Sequence, residues 1–150
     1  MLSRIADSLF WLNRYMERAD GLLRVMKTNY ILSLDKGTNS NLTWKPVLEI
    51  FAHANEEQST LLENDTESAL KLLLTDMKNV NSLKVILTKA RENARGVQDH
   101  ITKEVWEQVN QMYHLVNQPN LTEKLTGYEA METMEDFVKE CILFSGVTDT

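Results

Sequence analysis

The run Ser8-Leu9-Phe10-Trp11-Leu12-Asn13-Arg14-Tyr15-Met16-Glu17-Arg18-Ala19-Asp20 decides the fold. Read at about 100° per residue, Ile5, Leu9, Leu12, Met16, Ala19, Leu23 and Tyr30 fall on one side of a helix, while Asn13, Arg14, Glu17, Asp20 and Arg24 fall on the other. Gly21 is the sole interruption by Gly or Pro, so the spacing predicts one amphipathic helix from Ser3, a good N-cap, to about Ser33.

Outward from this helix, Asp35 to Asn41 is a loop by its turn residues. Trp44 and Pro46 open a second helix, with Val47, Leu48, Ile50, Phe51 and Ala54 apolar, that runs to near Leu62. Asp65 or Thr66 caps a short third helix that breaks over Asp76 to Asn81. Asn81 or Ser82 starts a fourth, whose inward set Leu83, Ile86, Leu87, Ala90, Ala94, Val97 and Ile101 recurs at three- to four-residue spacing. Thr102 caps a fifth with Val105, Val109, Met112 and Val116 inward and Trp106 and Tyr113 flanking, ending at Pro119-Asn120. The last helix is expected from about Tyr128 to Phe144, ending before Gly146. Nothing alternates with period two over a strand length. The expected class is all-α, an up-and-down helical bundle of about five to six helices with a long N-terminal helix, and residues 1–150 form a single domain.

Composition narrows the function classes. With 43% hydrophobic and 25% charged residues the chain has the globular average, and its net charge of -6 with no strongly basic window argues against nucleic acid. Residues 1 to 33 carry five basic and three acidic side chains, and residues 122 to 150 carry two basic and seven acidic. Two readings stay open, solvated helix faces or mutual attraction of the two ends. The single cysteine, Cys141, shares a stripe with Met134, Phe137, Val138 and Phe144, so it reads as a small buried hydrophobe. Arg4, Asp7 and Arg14 interrupt any signal-peptide core and no apolar run reaches membrane-spanning length; a cytoplasmic protein without membrane contact is expected.

Ser8-Leu9, Trp11, Arg14-Tyr15 and Glu17-Arg18-Ala19-Asp20 together resemble the opening motif of the alpha-E family, bacterial all-helical proteins named for a Glu-Arg pair. Arg91-Glu92-Asn93-Ala94-Arg95, followed by Val97, Asp99, Trp106-Glu107 and Asn110, looks like that family's second stretch. The resemblance spans essentially the whole chain. It implies the N-terminal half of a duplicated unit, with either the second half or another copy of the chain as a partner. It also implies association with an ATP-grasp ligase and a transglutaminase-like peptidase in making or modifying peptides.

Two polar groups carry the candidate chemistry. Arg14 and Arg18 are one turn apart and Glu17 follows Arg14 by three residues, an arrangement in which guanidinium groups grip an anion while Glu17 acts as base or orienter. Arg91 and Arg95 share a helix side in the second stretch, with Glu92 exterior and Asn93 nearer the core. If the fourth helix packs on the first, Glu17 meets Arg91 or Arg95 in an interhelix polar cluster without catalysis. The residues therefore leave two readings open: a non-catalytic interaction domain that self-associates, and an anion-binding or catalytic domain. No cofactor is expected. For metal, His53 with Glu49 and Glu57 at one-turn spacing is the nearest arrangement, and Ile50, Val97 and Gln111, three before the histidines, are not the Glu of a di-iron site.

Overall fold

The computed structural model describes residues 2–34, 43–125 and 129–148. The expected Asp35 to Asn41 loop and the Gly127-Tyr128 start of the last helix lie outside the described residues. The described chain is an all-α, up-and-down bundle: α1 Leu2–Leu34, α2 Lys45–Phe51, α3 Glu56–Leu62, α4 Thr66–Leu74, α5 Leu83–Gly96, α6 Lys103–Val116, α7 Leu121–Lys124 and α8 Glu129–Thr148. At about 1.5 Å per residue, the 33 residues of α1 span about 50 Å, far beyond the 14-residue α5 and α6. It is the spine.

Four helices close a ring, α1 against α5, α5 against α6, α6 against α8 and α8 back against α1. Leu12, Met16, Ala19, Leu22, Leu23 and Met26 of α1 are buried there with Leu83, Ile86, Leu87, Ala90 and Ala94 of α5 and Met134, Phe137, Cys141 and Phe144 of α8. Ala90 and Ala94 keep the α5 backbone close to its neighbours, because a methyl is all that stands between them. α8 runs antiparallel to α1: Lys27 pairs with Glu135 at 3.8 Å, while Asn13 and Glu17 line a common cavity with Phe144 and Thr148. The charge asymmetry between the two ends thus yields one ion pair among the described residues of α1 and α8, beside an apolar contact that includes Met16, Cys141 and Phe144.

Caps fix where helices begin. Ser82, Thr102 and Asp65 accept backbone N–H bonds from Val85, Val105 and Ser68 at 3.3, 3.2 and 3.1 Å. The Ser68 hydroxyl and N–H together hold the Asp65 carboxyl below its ordinary range. Trp44 is fully buried, and its indole N–H donates to Thr66 Oγ1 at 3.0 Å, tying α2 to α4.

Four boundaries differ from those expected, the first being the end of α5, which stops at Gly96 and leaves Val97 and Ile101 to flank a 3-10 turn over Gln98–His100. The single second helix is two, because His53 adopts φ 50, a left-handed conformation that ends α2, and Asn55 then caps α3 through Gln58 N–H at 2.8 Å. Pro119-Asn120 leads into the one-turn α7, whose Leu121 plugs the core. Gly146 does not stop α8, which continues to Thr148 because Phe144 and Val147 still pack on the core. The described residues thus form eight α-helices and a short 3-10 turn, and the class is intact.

Candidate functional site

Consecutive residues on a helix point about 100° apart, and that step separates the two members of the Glu-Arg pair. Glu17 lies on the α8 side of the outer ridge of α1. There, Asn13, Glu17 and Asp20 line a cavity of about 260 Å³ with Cys141, Ser145 and Thr148 of α8. Arg18 lies on the other side, in a groove of about 360 Å³ with Phe51 and His53 beyond α2 and Asn81 and Ile86 at the start of α5.

The two side chains have different surroundings. Glu17 is 71% exposed and its ion pair with Arg14, at 3.6 Å, is one between two solvated groups of a single helix. Such pairs contribute about 0–1 kcal/mol. Water surrounds this carboxylate, so it lacks the enclosed, low-dielectric setting in which charge is strongest. Arg18 is anchored. Its guanidinium donates to Asn81 Oδ1 and lies 5.8 Å from the ring centre of Tyr15, which stacks in turn beside Trp11 and Phe10. Asn81 is held by its neighbour, since its N–H donates to Asn79 Oδ1 at 3.0 Å and Asn79 Nδ2 donates to the Leu72 carbonyl at 3.0 Å. Arg18 therefore ties the spine to the α4–α5 connection.

The second stretch forms its own cluster. Arg91 Nε donates to Asn110 Oδ1 at 2.7 Å, and its guanidinium lies 4.7 Å from the Tyr113 ring centre and 5.8 Å from that of Trp106. Asn110 Nδ2 donates back to the Trp106 carbonyl at 2.9 Å, which fixes the acceptor. Asn93 is half-buried and donates to the Lys89 carbonyl of its own helix at 2.9 Å. Glu92 and Arg95 are exposed.

Although α5 does pack on α1, no ion pair joins Arg14, Glu17 or Arg18 to Arg91 or Arg95 among the described residues. Of the seven polar residues, Arg14, Glu17 and Arg18 lie on α1 and the other four on α5, where Arg91 reaches across to α6. Arg91 turns to α6 because Trp106 and Tyr113 offer it ring faces and Asn110 an acceptor. Sequence reasoning missed Asn79, Asn81 and Tyr113 as partners; the Asn-x-Asn step before the Ser82 cap was the available signal. The metal arrangement weighed above is lost as well, because the break at His53 removes it from a shared helix with Glu49 and Glu57, and Glu49 accepts from Ser59 Oγ at 3.0 Å. Among the described residues, no group of three or more His, Cys, Asp or Glu is placed to hold a metal ion, and no helix is long and apolar enough to cross a membrane.

Cys141 is 4% exposed, and burial, with Asp20 as a second cause, pushes its thiol up to about 12. It stays a protonated, packed side chain at neutral pH, not a thiolate nucleophile.

Two measurements check these assignments. Arg91→Ala is expected to cost about 1–3 kcal/mol in urea unfolding through loss of a charge-assisted bond and ring contacts, and Arg91→Lys to recover less than half, since an ammonium lacks the planar fork. For Cys141 the unfolded thiol ionises near 9 while the folded one resists to about 12, so its stabilisation is full below pH 9 and lost as pH rises through that window. Between pH 9 and 10 the wild type should lose about 1 kcal/mol more stability than Cys141→Ala, and parallel pH profiles would contradict the buried assignment.

The family model for Alpha-E, described as a predicted alpha-helical domain with a conserved ER motif, matches residues 1–150. No curated protein and no solved structure matches the chain. The sequence contains one Glu-Arg step, Glu17-Arg18, on the outer ridge of its longest helix. With the match running from end to end, the chain belongs to the Alpha-E family.

Proposed function

We propose that this protein is a non-catalytic helical interaction domain that serves a peptide-modifying system built on an ATP-grasp ligase. The observation that carries the reading is the composition of the exposed side of α1. Phe10, Trp11, Val25, Ile31 and Leu32 are exposed there around a Glu-Arg pair that lies in no enclosed pocket. Exposed aromatic and aliphatic anchors beside a charged pair are what a protein partner recognises, because aromatic burial supplies affinity and charge supplies register. The link to a ligase is what the family resemblance implies, through the ATP-grasp ligase and transglutaminase-like peptidase that its members accompany.

The test is binding of the purified chain to the ATP-grasp ligase of the same host by titration calorimetry. Wild type is expected to bind, and Glu17→Gln combined with Arg18→Gln to weaken binding at least about tenfold, or about 1.4 kcal/mol, with helical circular dichroism retained. Because Arg18 also anchors Asn81, the single Glu17→Gln variant separates lost recognition from lost folding: among the described residues its ion pair is the exposed one with Arg14. No binding by wild type, or equal binding by all three proteins, would contradict the proposal.

A further inference from the structure

The outer face of α1 is complementary to itself. Phe10, Glu17, Arg24 and Ile31 recur every seven residues, with Arg14 and Gly21 between them, and all six are exposed. At this spacing the six share one side of α1, the side turned away from its own bundle, and form a seam that is charged in the middle and apolar at both ends. It extends about 32 Å from Phe10 to Ile31 at about 1.5 Å per residue.

We propose that this seam binds a second copy of the chain, the two α1 helices packing antiparallel about a two-fold axis beside Gly21, with Glu17 of each copy paired to Arg24 of the other. Charge dictates the direction. Glu17 lies as far before the midpoint between Asp20 and Gly21 as Arg24 lies after it, and both sit on the same side of the ridge, so an antiparallel pair forms both ion pairs at once. A parallel pair in register would set Glu17 against Glu17 and Arg24 against Arg24. Phe10 and Ile31 are related by the same midpoint, so the ends of the seam close on apolar contacts.

The present partners of these groups leave room for the exchange. Arg24 binds Asp20 through Nε alone, at 2.9 and 3.0 Å, so its two terminal amino groups can take a carboxylate from outside. Glu17 gives up or shares only a solvated contact with Arg14. At the axis, a Cβ added to Gly21 would meet nothing within 4 Å, so the backbone lies open to a second helix. Beside the seam, Asn29 lines a shallow groove with Val25, Thr28 and Leu32. Its Nδ2 is buried and has no hydrogen-bond partner among the described residues.

The inference rests on reading the outer face of α1 as an interaction surface and names its occupant. Sedimentation equilibrium of the full chain tests it, with circular dichroism on every variant. Wild type is expected to be a dimer at tens of micromolar. Glu17→Arg and Arg24→Glu should each weaken dimerisation by about tenfold or more, and the two together should restore it to within about threefold, as coupled sites do. Gly21→Glu, which adds bulk and like charge at the axis without touching the monomer core, should be a folded monomer. A monomeric wild type overturns the inference, as does a dimer indifferent to Gly21→Glu and to both single reversals. Ligase titration on the same samples keeps the two readings apart: a monomer that binds ligase removes only the dimer, and a dimer that ignores ligase removes only the ligase.

Discussion

The burial of one side of α1 between α5 and α8 fixes everything else in this molecule. Leu12, Met16, Leu22, Leu23 and Met26 are almost wholly removed from water, and each contributes about 1.5–3 kcal/mol on burial. The exposed ion pairs Arg14–Glu17 and Arg24–Asp20 contribute about 0–1 kcal/mol apiece. The apolar stripe therefore sets the rotation of α1, and the charged face is displayed outward as a consequence. A spine about 50 Å long held in this way presents a continuous ridge to solvent.

What the helical spacing encodes directly is the bundle. The stripes of α1, α5 and α6 are buried as their periodicity requires, and Asp65, Ser82 and Thr102 cap the helices they precede. The break at His53 left no such trace, because Val47 to Ala54 is an apolar run that suits a continuous helix and a left-handed histidine carries no glycine to announce it. Gly146 misled for the opposite reason: glycine lowers helix propensity, but packing by Phe144 and Val147 overrides a local cost of about 1 kcal/mol. At Gly146 tertiary burial won over local preference.

The polar groups were legible as residues but not as partners. Helical spacing says that Arg14 and Glu17 can meet; it is silent on which neighbouring helix offers Arg91 a pair of aromatic rings, or on the loop amide that receives Arg18. Long side chains choose partners across helices by chemistry, and that information resides in Trp106, Tyr113, Asn110 and Asn81 rather than in the arginines themselves. The result is a division of labour inside two adjacent residues. Arg18 is anchored to the connection before α5, whereas Glu17 is left to the outside.

If the ridge is where this protein meets its partner, its side chains must lose solvent on association while those elsewhere do not. Hydroxyl-radical footprinting across a dilution series reads this directly, with Leu61 and Met77, exposed on other parts of the molecule, as internal references. The account predicts that oxidation of Phe10 and Ile31 slows as concentration rises through the association range, with Leu61 and Met77 unchanged. Oxidation of all four at rates independent of concentration would contradict it.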